Sequence, residues 1–218
     1  MNLDVLQLGP YATNCYLLHT DKKLWVIDPG FDGDKIIEFA SSRNLEIEAI
    51  ILTHSHWDHV LGIAPIVDKY PKTPIYIGKT EAPYLKKEAT KEMRAKAISI
   101  DPTQKQVPLS MFISVPEATH FLKDGDIIKG CNLLVIETPG HTVGSIALYD
   151  EENMRVFSGD TLFAGTVGRT DLPESRPDEI LKSIKEKLFV LPKKTKVYPG
   201  HGTSSTIEDE IKFNPFFS

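Results

Sequence analysis

Cysteine is nearly absent from this chain, with two in 218 residues. Cys15 and Cys131 stand far apart amid apolar neighbours, and neither belongs to a Cys-x-x-Cys pair. A disulfide-stapled scaffold is thereby ruled out, and zinc held by thiolates is disfavoured. The expectation is two buried free thiols in a reducing cytoplasm, with a single Cys15–Cys131 bridge as the alternative. Long apolar runs are missing too, since none approaches the ~20 residues needed to span a bilayer. The opening "MNLDVLQLGPYATNCYLL" lacks the basic start, continuous apolar stretch and cleavage site of a secretory leader, so none is expected. Basic residues are in deficit, 25 Lys and Arg against 30 Asp and Glu, for a formal net charge of −5. Surfaces built to neutralise phosphates show the opposite balance, so nucleic acid is not an expected partner. No 20–50-residue repeat or low-complexity linker interrupts the pattern.

What the chain does have is a series of short apolar or alternating runs. They are "LDVLQL", "CYLLH", "LWVID", "AIILTH", "PIYIG", "LLVIETPG", "SIALYD", "RVFSGD" and "KVYPGHG". Rich in β-branched and aromatic residues and ended by Gly, Pro, Asp or His, they read as strands. Two stretches read as amphipathic helices: Asp34–Asn44, with Ile36, Ile37, Phe39 and Ala40 on one face, and Asp178–Leu191, with Ile180, Leu181, Ile184 and Leu188. Paired strands, then strands interleaved with helices, then paired strands again, predict a layered α/β protein with a mixed sheet. The length suits one domain over residues 1–218. An irregular insertion spans about 79–119, opening with the charged helical "TEAPYLKKEATKEMRAKA". It is either a solvated excursion or a lid.

Chemistry concentrates in "LTHSHWDHVLG", where His54, His56, Asp58 and His59 fall within six residues. As the strand "AIIL" ends, i and i+2 point the same way, so His54 and His56 can share a face. A turn into loop or helix at Trp57 would bring Asp58 and His59 back toward the same point. Neutral imidazole and carboxylate suit zinc, iron or manganese. Three further runs share one grammar of strand, small or Gly/Pro turn, then potential ligand. They lead to His141 in "TPGHT", Asp160 in "SGDTLF" and His201 in "YPGHG". Loops at sheet ends are where rigid scaffolds carry their chemistry. His19 and His120 fall outside this grammar and are read as ordinary histidines.

In order and spacing these motifs resemble the metallo-β-lactamase superfamily, most closely its single-domain glyoxalase II-like hydrolases. "WVIDPG" extends the resemblance over nearly the whole chain. It implies an αβ/βα four-layer sandwich with mixed sheets and a metal site along one edge. It also implies that His54, His56 and His141 hold one metal and that Asp58, His59 and His201 hold a second, with Asp160 bridging. Asp28 is similar to the aspartate that supports the metal shell from behind; a plain turn former before Pro29 is the other reading. Two divalent ions are implied, zinc first, with iron or manganese as alternatives because the ligand set has no thiolate.

Two ions held close together lower the pKa of a shared water and present hydroxide at neutral pH. They also stabilise an oxyanion on a carbonyl substrate. Asp58 is then a ligand that can also guide a proton. The implied activity is hydrolysis of a small acyl-thioester such as S-lactoylglutathione. Iron-dependent persulfide (sulfur) dioxygenase activity is the alternative, sharing a "GRTD" segment similar to Gly168–Asp171. The bridging slot is held by cysteine in many zinc β-lactamases and by Asp160 here, which disfavours β-lactam cleavage. Nuclease activity is disfavoured by the acidic balance, and a non-catalytic metal-binding module stands as the reading from another class. Two-domain relatives place a lysine and a tyrosine in the loop after the bridging aspartate, where this chain has Arg169 and Asp171. They also carry a C-terminal helical domain that helps hold glutathione, whereas only one short helix-like stretch precedes Ser218. Arg169 and Asp171 either contact substrate, Arg169 by a bidentate grip on a carboxylate, or pair with each other to fix the loop. The tail residues Phe213, Phe216 and Phe217 are expected to pack against the sandwich or to meet another subunit. No membrane association is expected, and the oligomeric state is not encoded in the motifs.

Overall fold

The computed structural model describes residues 1–85, Ala95, Ile98, Ser99 and 114–217. The chain divides into two compact units, Met1–Ile77 with Ala82–Phe121, and Gly78–Glu81 with Leu122–Ser218.

The first unit is built on a six-stranded sheet in simple sequence order. Its strands are β1 (Asn2–Leu8), β2 (Thr13–His19), β3 (Lys23–Ile27), β4 (Glu46–Leu52), β5 (Ile75–Gly78) and β6 (His120–Leu122). β1, β2 and β3 pair antiparallel, whereas β3, β4 and β5 run parallel. A parallel step cannot be closed by a tight turn, so each carries helices: α1 (Gly33–Ser42) before β4, then α2 (Trp57–Val60) and α3 (Ile63–Lys69) before β5. Ile36, Ile37, Phe39 and Ala40 of α1 join Val60, Leu61, Ile63 and Ile66 and the alternate strand residues Cys15, Leu17, Leu24, Val26, Ile50, Leu52, Ile75 and Ile77 in one core. Each fully buried Leu, Ile or Val contributes about 1.5–3 kcal/mol. α1 is followed by Asn44 at φ +55°, a left-handed position that Asn tolerates better than most residues.

A second six-stranded sheet organises the other unit, in the order β14-β13-β10-β9-β8-β7. Its strands are β7 (Ile127–Ile128), β8 (Leu133–Glu137), β9 (Ile146–Asp150), β10 (Arg155–Gly159), β13 (Lys196–Pro199) and β14 (Ser205–Thr206). β10 and β13 are its parallel pair. Their crossover carries a small hairpin, β11 (Leu162–Phe163) with β12 (Thr166–Val167), and then helix α4 (Pro177–Ser183). A π-helical turn over Ile184–Leu188 continues α4, and Ile180, Ile184 and Leu188 bury against Ala147, Tyr149, Val156 and Val197. A last helix, α5 (Ile207–Phe213), is capped by the Thr206 hydroxyl, which accepts from the Asp209 N–H at 3.1 Å.

All nine expected strands and both expected helices form, as parts of a metallo-β-lactamase-type α/β fold with mixed sheets. Cys15 and Cys131 are free and buried. Two expectations need correction. β4 closes at Leu52, so strand alternation does not itself align His54 and His56. In the tail, Phe213 is 74% and Phe216 49% exposed, and only Phe217 packs, edge-on to Phe189 at 4.7 Å. Ile207, Glu210 and Asn214 take the buried positions, at the three- and four-residue spacing of one helical face, and Phe213 falls off that face. Of the insertion at about 79–119, Ala82–Leu85 forms a 3₁₀ turn, and the charged stretch beyond it lies outside the described residues. Among the described residues no helix is long and apolar enough to cross a membrane.

Candidate metal-binding residues

In the first unit the arrangement begins at Asp28, directly after β3. Its φ is +51°, and its own N–H donates to the Ile51 carbonyl at 3.0 Å. The carboxylate is buried and accepts three bonds: from the Thr53 N–H at 2.8 Å, the Thr53 hydroxyl at 2.7 Å and His59 Nδ1 at 3.0 Å. These contacts determine the tautomers. A carboxylate can only accept, so His59 carries its proton on Nδ1 and keeps its lone pair on Nε2. Thr53 has one hydroxyl proton, and Asp28 takes it. Thr53 Oγ1 must therefore accept from His54 Nδ1 at 3.0 Å, which leaves the His54 lone pair on Nε2 as well.

Around these two imidazoles the other candidates are close at hand. The ligand-capable atoms of Asp28, His54 and His59 all lie within 4.8 Å of one another. The His56 ring meets the His54 ring edge-on at 4.7 Å, and His59 lies 4.2 Å from His54. β4 has ended and the chain bends at Thr53; His56 itself is extended (φ −60°, ψ 140°) and directly precedes α2. That turn brings Asp58 Oδ2 to 3.6 Å from His59 Nε2. Thr13 Oγ1 at the start of β2 lies 3.5 Å from the same carboxylate oxygen. Trp57 seats the first turn of α2, buried edge-on against both Tyr11 (5.1 Å) and Phe31 (5.3 Å). Behind the helix, a Cβ on Gly62 would stand 2.4 Å from the Pro29 carbonyl. Only glycine lets the loop after Asp28 lie this close to α2.

In the second unit three strand ends supply the set. Asp160 follows β10, His201 follows β13, and His141 stands four residues beyond β8. Asp160 Oδ2 lies 3.6 Å from Nε2 of both His141 and His201. His141 Nδ1 donates to the Arg169 carbonyl at 2.8 Å, so its lone pair too is on Nε2. The His141 backbone is held from the other side, its carbonyl accepting from the Ser175 hydroxyl at 2.7 Å. Gly168 permits this packing, because a Cβ there would fall 1.8 Å from the Asp160 carbonyl and 3.2 Å from His141 Cβ. Arg169 and Asp171 form a bidentate pair, Nε to Oδ1 at 2.7 Å and Nη2 to Oδ2 at 2.8 Å. The Arg169 bonds hold the Asp171 carboxyl below its ordinary pKa.

The donor chemistry fits divalent metal in both units. Three histidines have Nδ1 committed as donor and Nε2 available as a lone-pair ligand, the arrangement typical of metal-bound imidazole. Two ligands of a tetrahedral zinc ion, each about 2.1 Å from it, stand about 3.4 Å apart. The three carboxylate-to-imidazole distances of 3.6 Å are close to that span and too long for hydrogen bonds. The structure also brings in side chains that the motifs did not single out. Thr53 and Trp57 sit inside the quoted cluster, where a hydroxyl beside the first histidine and an aromatic at the helix start were available signals. Glu81 was not legible, because its partner Thr142 lies 61 residues away. His19 bonds to Asp4 at 2.9 Å, and His120 stacks on Tyr76 at 4.4 Å.

The sequence profile of the metallo-beta-lactamase superfamily matches residues 8–201. The chain belongs to the metallo-β-lactamase superfamily. Among curated members it is 34% identical to the probable metallo-hydrolase M6_Spy0554 of Streptococcus pyogenes, over 94% of this chain and 85% of that one. It is 30% identical to the hydroxyacylglutathione hydrolase GloC of Haemophilus influenzae, over 100% of this chain and 99% of that protein. Among solved superfamily structures, the BLEG-1 B3 metallo-beta-lactamase superposes with a TM-score of 0.83 at 32% identity, covering 100% of both chains. TTHA1623 in a di-iron-bound form gives 0.81 at 35% identity, covering 98% of this chain and 99% of that one. This superfamily member is accordingly a metallo-hydrolase with His/Asp clusters capable of binding metal.

Proposed function

We propose that this metallo-hydrolase cleaves acyl-thioesters, using two divalent ions held by His54, His56 and His141 and by Asp58, His59 and His201, with Asp160 shared. The observation that carries the substrate class is the full-length similarity to a hydroxyacylglutathione hydrolase. Bound there, such ions would supply an activated water as nucleophile and stabilise the negative charge that develops on the acyl oxygen on attack, before the carbonyl re-forms and the thiolate leaves. The chain's own residues do the rest. Asp28, through Thr53 and His59, keeps two imidazoles in the ligand tautomer, and the Arg169 carbonyl does so for His141. Asp58, whose Oδ2 lies beside both Thr13 and His59 Nε2, would take the proton that the attacking water gives up and pass it to the leaving thiolate. Arg169 and Asp171 act on substrate as a unit, since the guanidinium is already matched to a carboxylate. The two buried free thiols favour a reducing compartment, and the cytoplasm is the proposed location.

Zinc is the proposed metal, with iron the rival because a di-iron relative shares 35% of the sequence. The test is one protein preparation loaded separately with zinc, iron(II) and manganese(II). Each sample is assayed for thiol release from S-lactoylglutathione, oxygen uptake with glutathione persulfide, and cleavage of a lactone and a cephalosporin. Metal-dependent thiol release that a chelator abolishes is the expected result. Oxygen uptake without thioester cleavage, or cephalosporin turnover alone, overturns the proposal.

A further inference from the structure

We propose that Glu81 is a positioning residue for His141, acting through Thr142. The inference rests on the reading of His141 as a metal ligand. Glu81 is 1% exposed and lies in the short Gly78–Glu81 segment of the second unit. Its Oε2 accepts from the Thr142 hydroxyl at 2.9 Å and from the Gly144 N–H at 3.1 Å. Both donors follow His141 in the same turn, one and three residues on. Burying a carboxylate is costly unless donors meet it, and here two loop donors converge on one oxygen.

The consequences run through the whole turn. Thr142 gives its only hydroxyl proton to Glu81, so the Ser145 hydroxyl donates to Thr142 Oγ1 at 2.7 Å. The Ser145 oxygen then accepts the Thr142 N–H at 3.2 Å. Backbone bonds Thr138 N–H to Ser145 carbonyl (2.8 Å) and Gly140 N–H to Thr142 carbonyl (3.0 Å) close the same turn. The approach also needs two glycines, which the metal chemistry by itself does not. A Cβ on Gly144 would lie 2.5 Å from the Glu81 nitrogen, and one on Gly78 would lie 2.7 Å from the Gly144 carbonyl. Glu81 therefore orients Thr142 and, one residue back, sets where His141 Nε2 stands relative to Asp160. Its role is that of hydrogen-bond acceptor, which a glutamine carbonyl reproduces and a methyl group does not.

The test uses the full chain loaded with cobalt(II), whose visible spectrum reports its ligand geometry. Affinity is read by chelator competition, and folding of the apo protein by circular dichroism. Glu81→Ala should weaken one cobalt(II) site by about 10- to 100-fold and alter its spectrum, the usual cost of losing an outer support of a ligand. Glu81→Gln should restore affinity to within about threefold, and the near-isosteric Thr142→Val should fall between them. Should Glu81→Ala not fold, the Glu81→Gln and Thr142→Val pair decides. His141→Ala is the control and should bind one ion per chain fewer than wild type. If it does, while Glu81→Ala and Thr142→Val match wild type in affinity and spectrum, the Glu81 inference fails and the ligand reading stands. If His141→Ala binds as many ions as wild type, the ligand reading itself fails. Equal damage from Glu81→Gln and Glu81→Ala overturns the acceptor role in favour of charge.

Discussion

Replacing Asp28 by asparagine changes one oxygen to an amide nitrogen and, on the hydrogen-bond geometry, reverses two histidines. Asparagine tolerates the left-handed backbone at this position, so the variant tests chemistry rather than strain. Its carbonyl can still accept from the Thr53 N–H, now 2.8 Å from Asp28 Oδ1. Its NH₂ group then faces the Thr53 hydroxyl and His59 Nδ1, both of which donate in the native protein. For these contacts to survive, His59 must carry its proton on Nε2. The Thr53 hydroxyl must turn to donate to His54 Nδ1, which moves the His54 proton to Nε2 as well. Both rings would present N–H where they present a lone pair. Each bond to a charged acceptor is worth about 1.5–3 kcal/mol, so reversing two costs the metal-bound form about 3–6 kcal/mol. The bonds are coupled through Thr53, which favours the lower end, roughly a 100-fold loss of metal affinity. The apo protein can re-form both bonds with opposite polarity and should lose only about 1 kcal/mol. Competition against a chromophoric chelator measures the affinity, and nitrogen-15 NMR of the imidazoles reads the tautomers directly. Asp28→Asn binding metal within about threefold of wild type, or showing unchanged tautomers, refutes the reasoning.

Other outcomes follow from single contacts. Gly168→Ala places a methyl group against the Asp160 carbonyl, at a distance of 1.8 Å before relaxation, and should destabilise the protein by about 1–3 kcal/mol while weakening metal binding; thermal unfolding with and without metal checks both. Burial opposes ionisation of Asp150, yet bonds from Asn153 and Arg155 outweigh it and hold its carboxyl below the ordinary value. Its stabilising contribution is therefore present above the unfolded carboxylate pKa and lost as pH falls through the lowered folded value. Asp150→Asn should be less stable than wild type at about pH 6 and converge toward it as pH falls below the ordinary carboxylate pKa of about 3.9, by urea unfolding of the apo protein; parallel pH profiles would contradict this. Burial raises the Cys131 thiol to about 11 and pushes the Cys15 thiol well up. Iodoacetamide at neutral pH should leave both unmodified in the native protein and label both in denaturant, as read by mass spectrometry.

Much of the molecule was legible as local pattern. Short apolar runs located the strands because most of them are buried on both faces, β9 and β10 along their whole length, and a doubly buried strand reads as a continuous apolar stretch. The crowding of His54, His56, Asp58 and His59 announced metal chemistry because such donors rarely gather without an ion to share. Packing was read correctly for Phe217 and not for Phe213 and Phe216, because phenylalanines name no direction; one helical face, already taken by Ile207, Glu210 and Asn214, left Phe213 outside. Glu81 escaped because no local spacing links it to Thr142, and its charged neighbours in "KTEAPYLKK" read as a solvated surface.

The chain's order of residues thus specifies which segments become strands and helices and which side chains are able to bind metal. Those properties depend on neighbours a few positions away. Which nitrogen of each histidine carries the lone pair depends on Asp28, Thr53 and the Arg169 carbonyl. Whether the His141 turn is held depends on Glu81, and how closely Arg169 approaches depends on a missing Cβ at Gly168. A hydrogen bond selects a tautomer only when both partners are brought within about 3 Å, and over separations of 25 to 61 residues only tertiary packing does that.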